Sequence, residues 1–150
     1  MRRLYLPAIT LAILSALFAA HAGVQRQKAA AVRGDYLVNR VAMCIDCHTA
    51  TLPTGEKDKT RQLAGAPIAF KPEVEVPNWA SAAPNLTPEG FLKAWPDEQL
   101  VKFLMTGITP TLGMADPPMP QYRLNRADAG AVTSYLRSLP PVESRPPKPE

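Results

Sequence analysis

The sequence predicts an all-α chain in which three or more helices are joined by long loops. Apolar residues recur near helical spacing in three stretches, around 25–43, 96–107 and 125–139. The last two carry their own stop signals. Between them prolines and glycines interrupt every apolar run, so no long periodic segment survives across 49–95 or 109–123.

The chain opens Met1-Arg2-Arg3, runs apolar from Leu4 to Ala20 and then reads Ala20-His21-Ala22-Gly23. A basic start, a short apolar core and an A-x-A site describe a secretory signal peptide over 1–22, cleaved after Ala22. This leaves a domain over 23–139 and a proline-rich tail over 140–150, in a periplasmic protein. The alternative is an uncleaved membrane anchor, because the run falls only slightly short of the roughly 20 residues that span a bilayer. Pro7 and the small-residue site favour cleavage. The formal charge of +4 falls by two once Arg2 and Arg3 are removed. No Lys/Arg cluster interleaves with aromatics, so no nucleic-acid partner is expected.

Over 25–43, Ala29-Ala30-Ala31, Val32, Tyr36, Leu37 and Val41 form the apolar series of a first helix. Gly34 either sits inside it for a packing reason or marks a start at Asp35. The helix leads into Cys44-Ile45-Asp46-Cys47-His48, and C-x-x-C-H is the attachment signature of a c-type haem. On a helix, positions i and i+3 share a face and i+4 adjoins them. The Cys44 and Cys47 thiols can therefore form thioethers with the haem vinyl groups while His48 meets the iron. One motif implies one covalently bound haem c. A redox dithiol or half of a zinc site shares the C-x-x-C spacing. Zinc lacks ligands here, since the chain has two Cys and two His and His21 lies in the leader. A dithiol fold would need strands alternating with helices, and a structural disulfide would close too tight a loop to stabilise much.

Loop 49–95 offers Leu63, Ile68, Phe70, Trp79 and Leu86 as an apolar surface to wrap a flat cofactor, with 52–61 as an exposed polar excursion. A helix follows over 96–107, with Pro96 in its first turn, Asp97 and Glu98 beside the positive dipole end and Gly107 at its exit. Its apolar face is Leu100, Phe103, Leu104 and Ile108. Asn125 caps the last helix, Leu124 is placed to staple Ala129, and Ala129, Val132, Tyr135, Leu136 and Leu139 form one stripe ended by Pro140-Pro141. The tail is expected to be extended and unpacked.

With His21 in the leader, His48 is the remaining imidazole, so the second axial ligand is a thioether, a Lys amine, the new N-terminus or nothing. Met43 belongs to the proximal side and Met105 reads as core. Met114 and Met119 share loop 109–123. Met119, inside Pro117-Pro118-Met119-Pro120, is preferred because its prolines fix φ and hold a flexible thioether with less ordering entropy. A Met/His haem has a raised reduction potential, passes single electrons and does not bind oxygen. His48 should donate its other ring N–H to a backbone carbonyl, for which Pro67 is a candidate. Trp79, Trp95, Tyr122 and Arg123 are candidates for hydrogen bonds to haem propionates.

Ala83-Pro84-Asn85-Leu86-Thr87-Pro88, Trp95-Pro96-Asp97-Glu98-Gln99-Leu100, Gly107, Met119-Pro120 with Tyr122, and Asp128 through Tyr135-Leu136-Arg137-Ser138-Leu139 complete a pattern. With it the chain resembles class I cytochromes c. More narrowly, it resembles the haem domains in cytochrome subunits of bacterial membrane-associated alcohol and aldehyde dehydrogenases. The resemblance covers nearly all of 23–150. It implies a cytochrome c fold, three or more helices and long loops around one haem, with the first and last helices crossing where Gly34 or Tyr36 meets Tyr135. Those subunits usually carry several haem domains, whereas one motif here favours a stand-alone carrier. The expected function is electron transfer between a dehydrogenase or quinol-oxidising complex and a terminal acceptor, by a protein that is not itself an enzyme. Its partners are redox proteins, with a membrane involved only if the leader is retained. The competing readings are a haem enzyme or gas sensor with a labile sixth site, peroxidase-like, and an exported dithiol protein without haem.

Overall fold

The computed structural model describes residues 5–144. In order it forms α1 (Tyr5–Tyr36), α2 (Cys44–His48), β1 (Ala66–Pro67), β2 (Ala82–Ala83), α3 (Asp97–Thr106) and α4 (Arg126–Ser138). The expected all-α fold is realised, and the antiparallel pair β1–β2 is its one sheet among the described residues.

Helix α1 is longer than the sequence pattern suggested, because the apolar run and the first core helix are one uninterrupted element. Its outer part is bare: Leu14, Leu17 and Phe18 are all more than 60% exposed. Among the described residues no helix is long and apolar enough to cross a membrane. The basic start of the leader, residues 1–4, lies outside the described residues, as does the end of the tail, 145–150.

The apolar series marked the inner face only in part: Leu37 is buried as expected, with Val38 beside it in the turn that follows α1, but Val32, Tyr36 and Val41 are exposed. The cause is the crossing with α4 at Gly34. A Cβ at Gly34 would run into the Ala131 carbonyl oxygen and stand 2.6 Å from the Tyr135 Cβ. Gly34 therefore sits inside the helix for a packing reason, and it meets Tyr135 as the resemblance implied. Polar groups flank the crossing: Arg33 Nε donates to Asp128 Oδ1 at 2.9 Å, and Asn39 Nδ2 donates to the Tyr135 hydroxyl at 2.9 Å.

Helices α3 and α4 follow their local signals. Asp97 and Glu98 occupy the first turn of α3, and Gly107 takes the left-handed conformation (φ 75°) that closes it. Asn125 Oδ1 accepts from the Asp128 backbone N–H at 2.9 Å, the N-cap bond of α4. Leu100, Val101 and Leu104 of α3 pack with Ala129, Ala131, Val132 and Leu136 of α4 and with Leu37, Val38, Leu63 and Leu92. Burying each leucine contributes on the order of 1.5–3 kcal/mol. Ile108, expected on this face, is 39% exposed beyond the helix end. Arg137 Nε donates to Asp97 and its guanidinium also donates to the Leu92 and Trp95 carbonyls, fastening α4 to the entry of α3.

Segment 49–95 is more ordered than a plain loop, with 3-10 turns at Lys59–Arg61 and Phe91–Ala94 besides the strand pair. The tail corrects an expectation. As far as Ser144, where the described residues end, it is extended yet not unpacked: residues 142–144 hydrogen-bond to Arg61, Asn85 and Thr87. A stripe of apolar side chains is the usual signal of packing, and a tail held by its backbone groups has none.

Candidate functional site

A tight reversal presents the C-x-x-C-H residues. A π-helical turn, Leu37–Val41, ends with the Ala42 N–H donating to the Leu37 carbonyl at 2.7 Å. Met43 then takes the left-handed conformation (φ 52°) and α2 begins. Such a conformation in a residue with a side chain costs about 1–3 kcal/mol and is found where the surroundings hold it. Here the surroundings are loop 49–67, wrapped on α2: the Gly65 N–H donates to the His48 carbonyl at 2.8 Å and the Leu63 N–H to Thr49 Oγ1 at 2.8 Å. Lys57 Nζ donates to the Asp46 carbonyl at 2.6 Å and the Thr49 carbonyl at 3.2 Å, placing a cation on the negative end of α2. The polar excursion thus delivers a cap.

Cys44, Cys47 and His48 all line one cavity of about 540 Å³, within the roughly 300–1,000 Å³ of small-molecule sites. Its remaining wall is mostly apolar, and Met114 and Met119 both reach it from loop 109–123. His48 is only 4% exposed. Its Nδ1 lies 2.7 Å from the Pro84 carbonyl oxygen. A carbonyl can only accept, so Nδ1 carries the proton. Burial pushes the imidazole pKa below its ordinary value, against the hydrogen bond to Pro84 that raises it. The ring is therefore neutral at pH 7, with the Nε2 lone pair free of any partner among the described residues. The acceptor is Pro84, not Pro67, which lies in β1 paired with Ala82. The signal that could have found it was the Ala83-Pro84-Asn85 stretch itself.

Cys44 and Cys47 are free thiols. Burial pushes Cys44 up to about 11, with the neighbouring Tyr122 hydroxyl pulling the other way. Tyr122 is also raised, by burial first, and its hydroxyl donates to the Ala42 carbonyl at 2.7 Å, pinning the chain just before the motif. In the chain with both thiols free, the unfolded state ionises Cys44 near 9.0 and the folded state only near 11. Stability is therefore expected to fall as pH rises between those values. Below that window, alkylation of Cys44 should be about a hundredfold slower folded than denatured, the thiolate ratio that two pKa units impose. Mass spectrometry of iodoacetamide-treated protein measures it, and equal rates would contradict the buried thiol.

The four candidates for polar contacts to the cofactor divide. Trp95 and Tyr122 line the cavity. Trp79 and Arg123 do not: Trp79 packs edge-on against Phe70 at 5.7 Å, and Arg123 donates to the Thr106 and Tyr122 carbonyls. Of the loop residues expected to wrap the cofactor, Ile68 and Leu86 reach the cavity, Leu63 is fully buried in the core, and Phe70 is 53% exposed. Phe91, Leu92 and Phe103 line the cavity instead, unsignalled because the helix pattern placed Phe103 in a protein core. Met114 is 62% exposed and its sulfur accepts from Gln121 Nε2, whereas Met119 is half-buried. A neutral imidazole with a free lone pair, a thioether and two thiols on an apolar cavity fit a covalently attached haem.

No family model matches the chain. It is 32% identical to a diheme cytochrome c-type protein of Cereibacter sphaeroides over 74% of this chain and 36% of the relative. It is 35% identical to the fructose dehydrogenase cytochrome subunit of Gluconobacter japonicus, over 72% of this chain and 22% of the relative. It is 30% identical to the cytochrome c subunit of a quinone alcohol dehydrogenase of Gluconacetobacter polyoxogenes, over 73% of this chain and 24% of the relative. The chain thus spans about a third or less of the length of these relatives.

Proposed function

We propose that this chain, a c-type cytochrome related to the subunits just named, binds one haem c and carries single electrons in the periplasm between a dehydrogenase or quinol-oxidising complex and a terminal acceptor. When bound, the haem supplies a one-electron iron couple. Cys44 and Cys47 would hold it through two thioethers, each S–H adding across one vinyl group. His48, through Nε2, and Met119, through its sulfur, would hold the iron. The apolar wall keeps water from the metal, and no residue is assigned a catalytic step on a substrate. The hydrogen bond from His48 Nδ1 to the Pro84 carbonyl carries this reading, because it fixes the tautomer and orientation that ligation requires and raises the basicity of Nε2. The half-buried Met119 beside the same cavity favours a closed sixth position over a labile one, and hence a carrier over a peroxidase-like enzyme or gas sensor. A carrier of this kind makes small, short-lived contacts with its redox partners, and membrane attachment enters only if the N-terminal segment is retained.

Protein made with the haem-attachment machinery is expected to give one haem per chain in a pyridine haemochrome assay and a sulfur-to-iron charge-transfer band in its ferric spectrum. Mass spectrometry of the same sample reads the processed N-terminus, expected at Gly23. Unmodified thiols would overturn the haem assignment. Ready binding of carbon monoxide to the native protein would overturn the carrier.

A further inference from the structure

After Pro140-Pro141 the extended tail crosses the loop that holds Pro84. The Val142 carbonyl accepts from Asn85 Nδ2 at 2.6 Å and from the Thr87 hydroxyl at 3.2 Å. The Val142 N–H lies 3.2 Å from Thr87 Oγ1, and Ser144 Oγ accepts from Asn85 Nδ2 at 3.2 Å. Arg61 Nη2 donates to the Glu143 carbonyl at 2.6 Å. Asn85 and Thr87 are 4% and 1% exposed. The Asn85 amide is therefore a buried donor whose acceptors both belong to the tail, and leaving a buried donor without an acceptor is costly.

Asn85 directly follows Pro84, whose carbonyl takes the His48 proton. Its Oδ1 accepts from the Thr87 N–H at 2.8 Å and its carbonyl from the Phe91 N–H at 2.8 Å. Gly65 lies so close that a Cβ there would stand 3.0 Å from the Asn85 nitrogen and 3.3 Å from the Pro84 carbonyl carbon. The loop is clamped from its own side by these bonds. The tail supplies the clamp on the other.

We infer that residues 142–144 are a positioning strap for the proximal histidine: by holding Asn85 they keep the Pro84 carbonyl on His48 Nδ1 and so set how strongly His48 donates to the metal. The inference rests on the proposed ligation of iron by His48. A hydrogen bond weakens steeply with lengthening and misalignment. A well-placed carbonyl draws the Nδ1 proton and enriches Nε2 in electron density, which favours the oxidised metal. When the carbonyl drifts, donation falls and the reduction potential rises.

The test compares the full chain with one ending at Pro141, with Asn85→Ala and with the two changes combined. Each is assayed first for haem by haemochrome, then for midpoint potential and for exchange of the His48 ring N–H by NMR. Full haem content, a higher potential and about fivefold faster ring-proton exchange are expected in the shortened chain. The combined variant should shift no further, because both changes break the same contact. A shortened chain with full haem and the potential and exchange rate of the intact one overturns the strap. If the intact chain takes up no haem, the haem reading fails instead, and ring-proton exchange in the haem-free chains still decides the strap. The shortened chain keeps every core side chain, so it serves as the decisive variant if Asn85→Ala does not fold.

Discussion

Met119→Ala protein is expected to keep its covalent haem yet lose the sulfur-to-iron band, bind carbon monoxide when reduced, and show a much lower reduction potential. On the proposed function, attachment depends on Cys44 and Cys47, which the change does not touch, and the sixth position on the Met119 thioether. A soft sulfur ligand stabilises the reduced metal, so its removal would lower the potential by a sizeable part of the roughly 0.8 V that axial ligation spans. Met114→Ala is the control. Both methionines reach the cavity, but Met114 is 62% exposed and its sulfur is engaged by Gln121 Nε2 at 2.6 Å. Its loss should leave the ferric spectrum unchanged. The opposite pair of spectra would transfer the axial role to Met114.

Gly34→Ala and Gly130→Ala, two identical changes in helix interiors, are expected to act in opposite directions. A methyl at Gly34 meets the backbone oxygen of Ala131 and the Cβ of Tyr135 at 2.6 Å. Neither is the far end of a flexible side chain, so α1 and α4 must part. Contacts this close to backbone fall at the upper end of overpacking costs, about 2–3 kcal/mol, which exceeds the gain of up to about 1 kcal/mol in helix propensity. At roughly 3 °C per kcal/mol for a chain of this size, Tm should fall by about 3–6 °C. A methyl at Gly130 meets nothing within 4 Å. There the propensity term acts alone, and Tm should rise by about 2–3 °C. Thermal melts followed by far-UV circular dichroism measure both. A neutral Gly34→Ala would mean that the helices do not cross where the structure has them.

Much of the site was legible because its signals are local. Cys44, Cys47 and His48 are spaced by the helix that carries them, the Asn125 cap lies three residues from the N–H it receives, and Gly107 closes the helix it follows. The identity of the proximal carbonyl was not legible, since every residue offers one. Pro67 and Pro84 are equivalent as text, and they differ only because β1 pairs Pro67 with Ala82 and leaves the Pro84 oxygen facing His48. Phe70 and Trp79 looked like cofactor contacts by composition, yet they satisfy each other, while Phe91 and Phe103 reach the cavity.

The sequence by itself determined the spacing of Cys44, Cys47 and His48, the helical class and the ends of the last two helices, because each rests on residues within one or two turns of each other. Tertiary structure alone decided which face of the first helix turns inward, which carbonyl orients the imidazole and where the tail lies. Those outcomes depend on backbone groups and close approaches between segments distant along the chain: Gly34 with Ala131, His48 with Pro84, Asn85 with Val142. Backbone is the same at every residue, so a contact made by it leaves no letter to read.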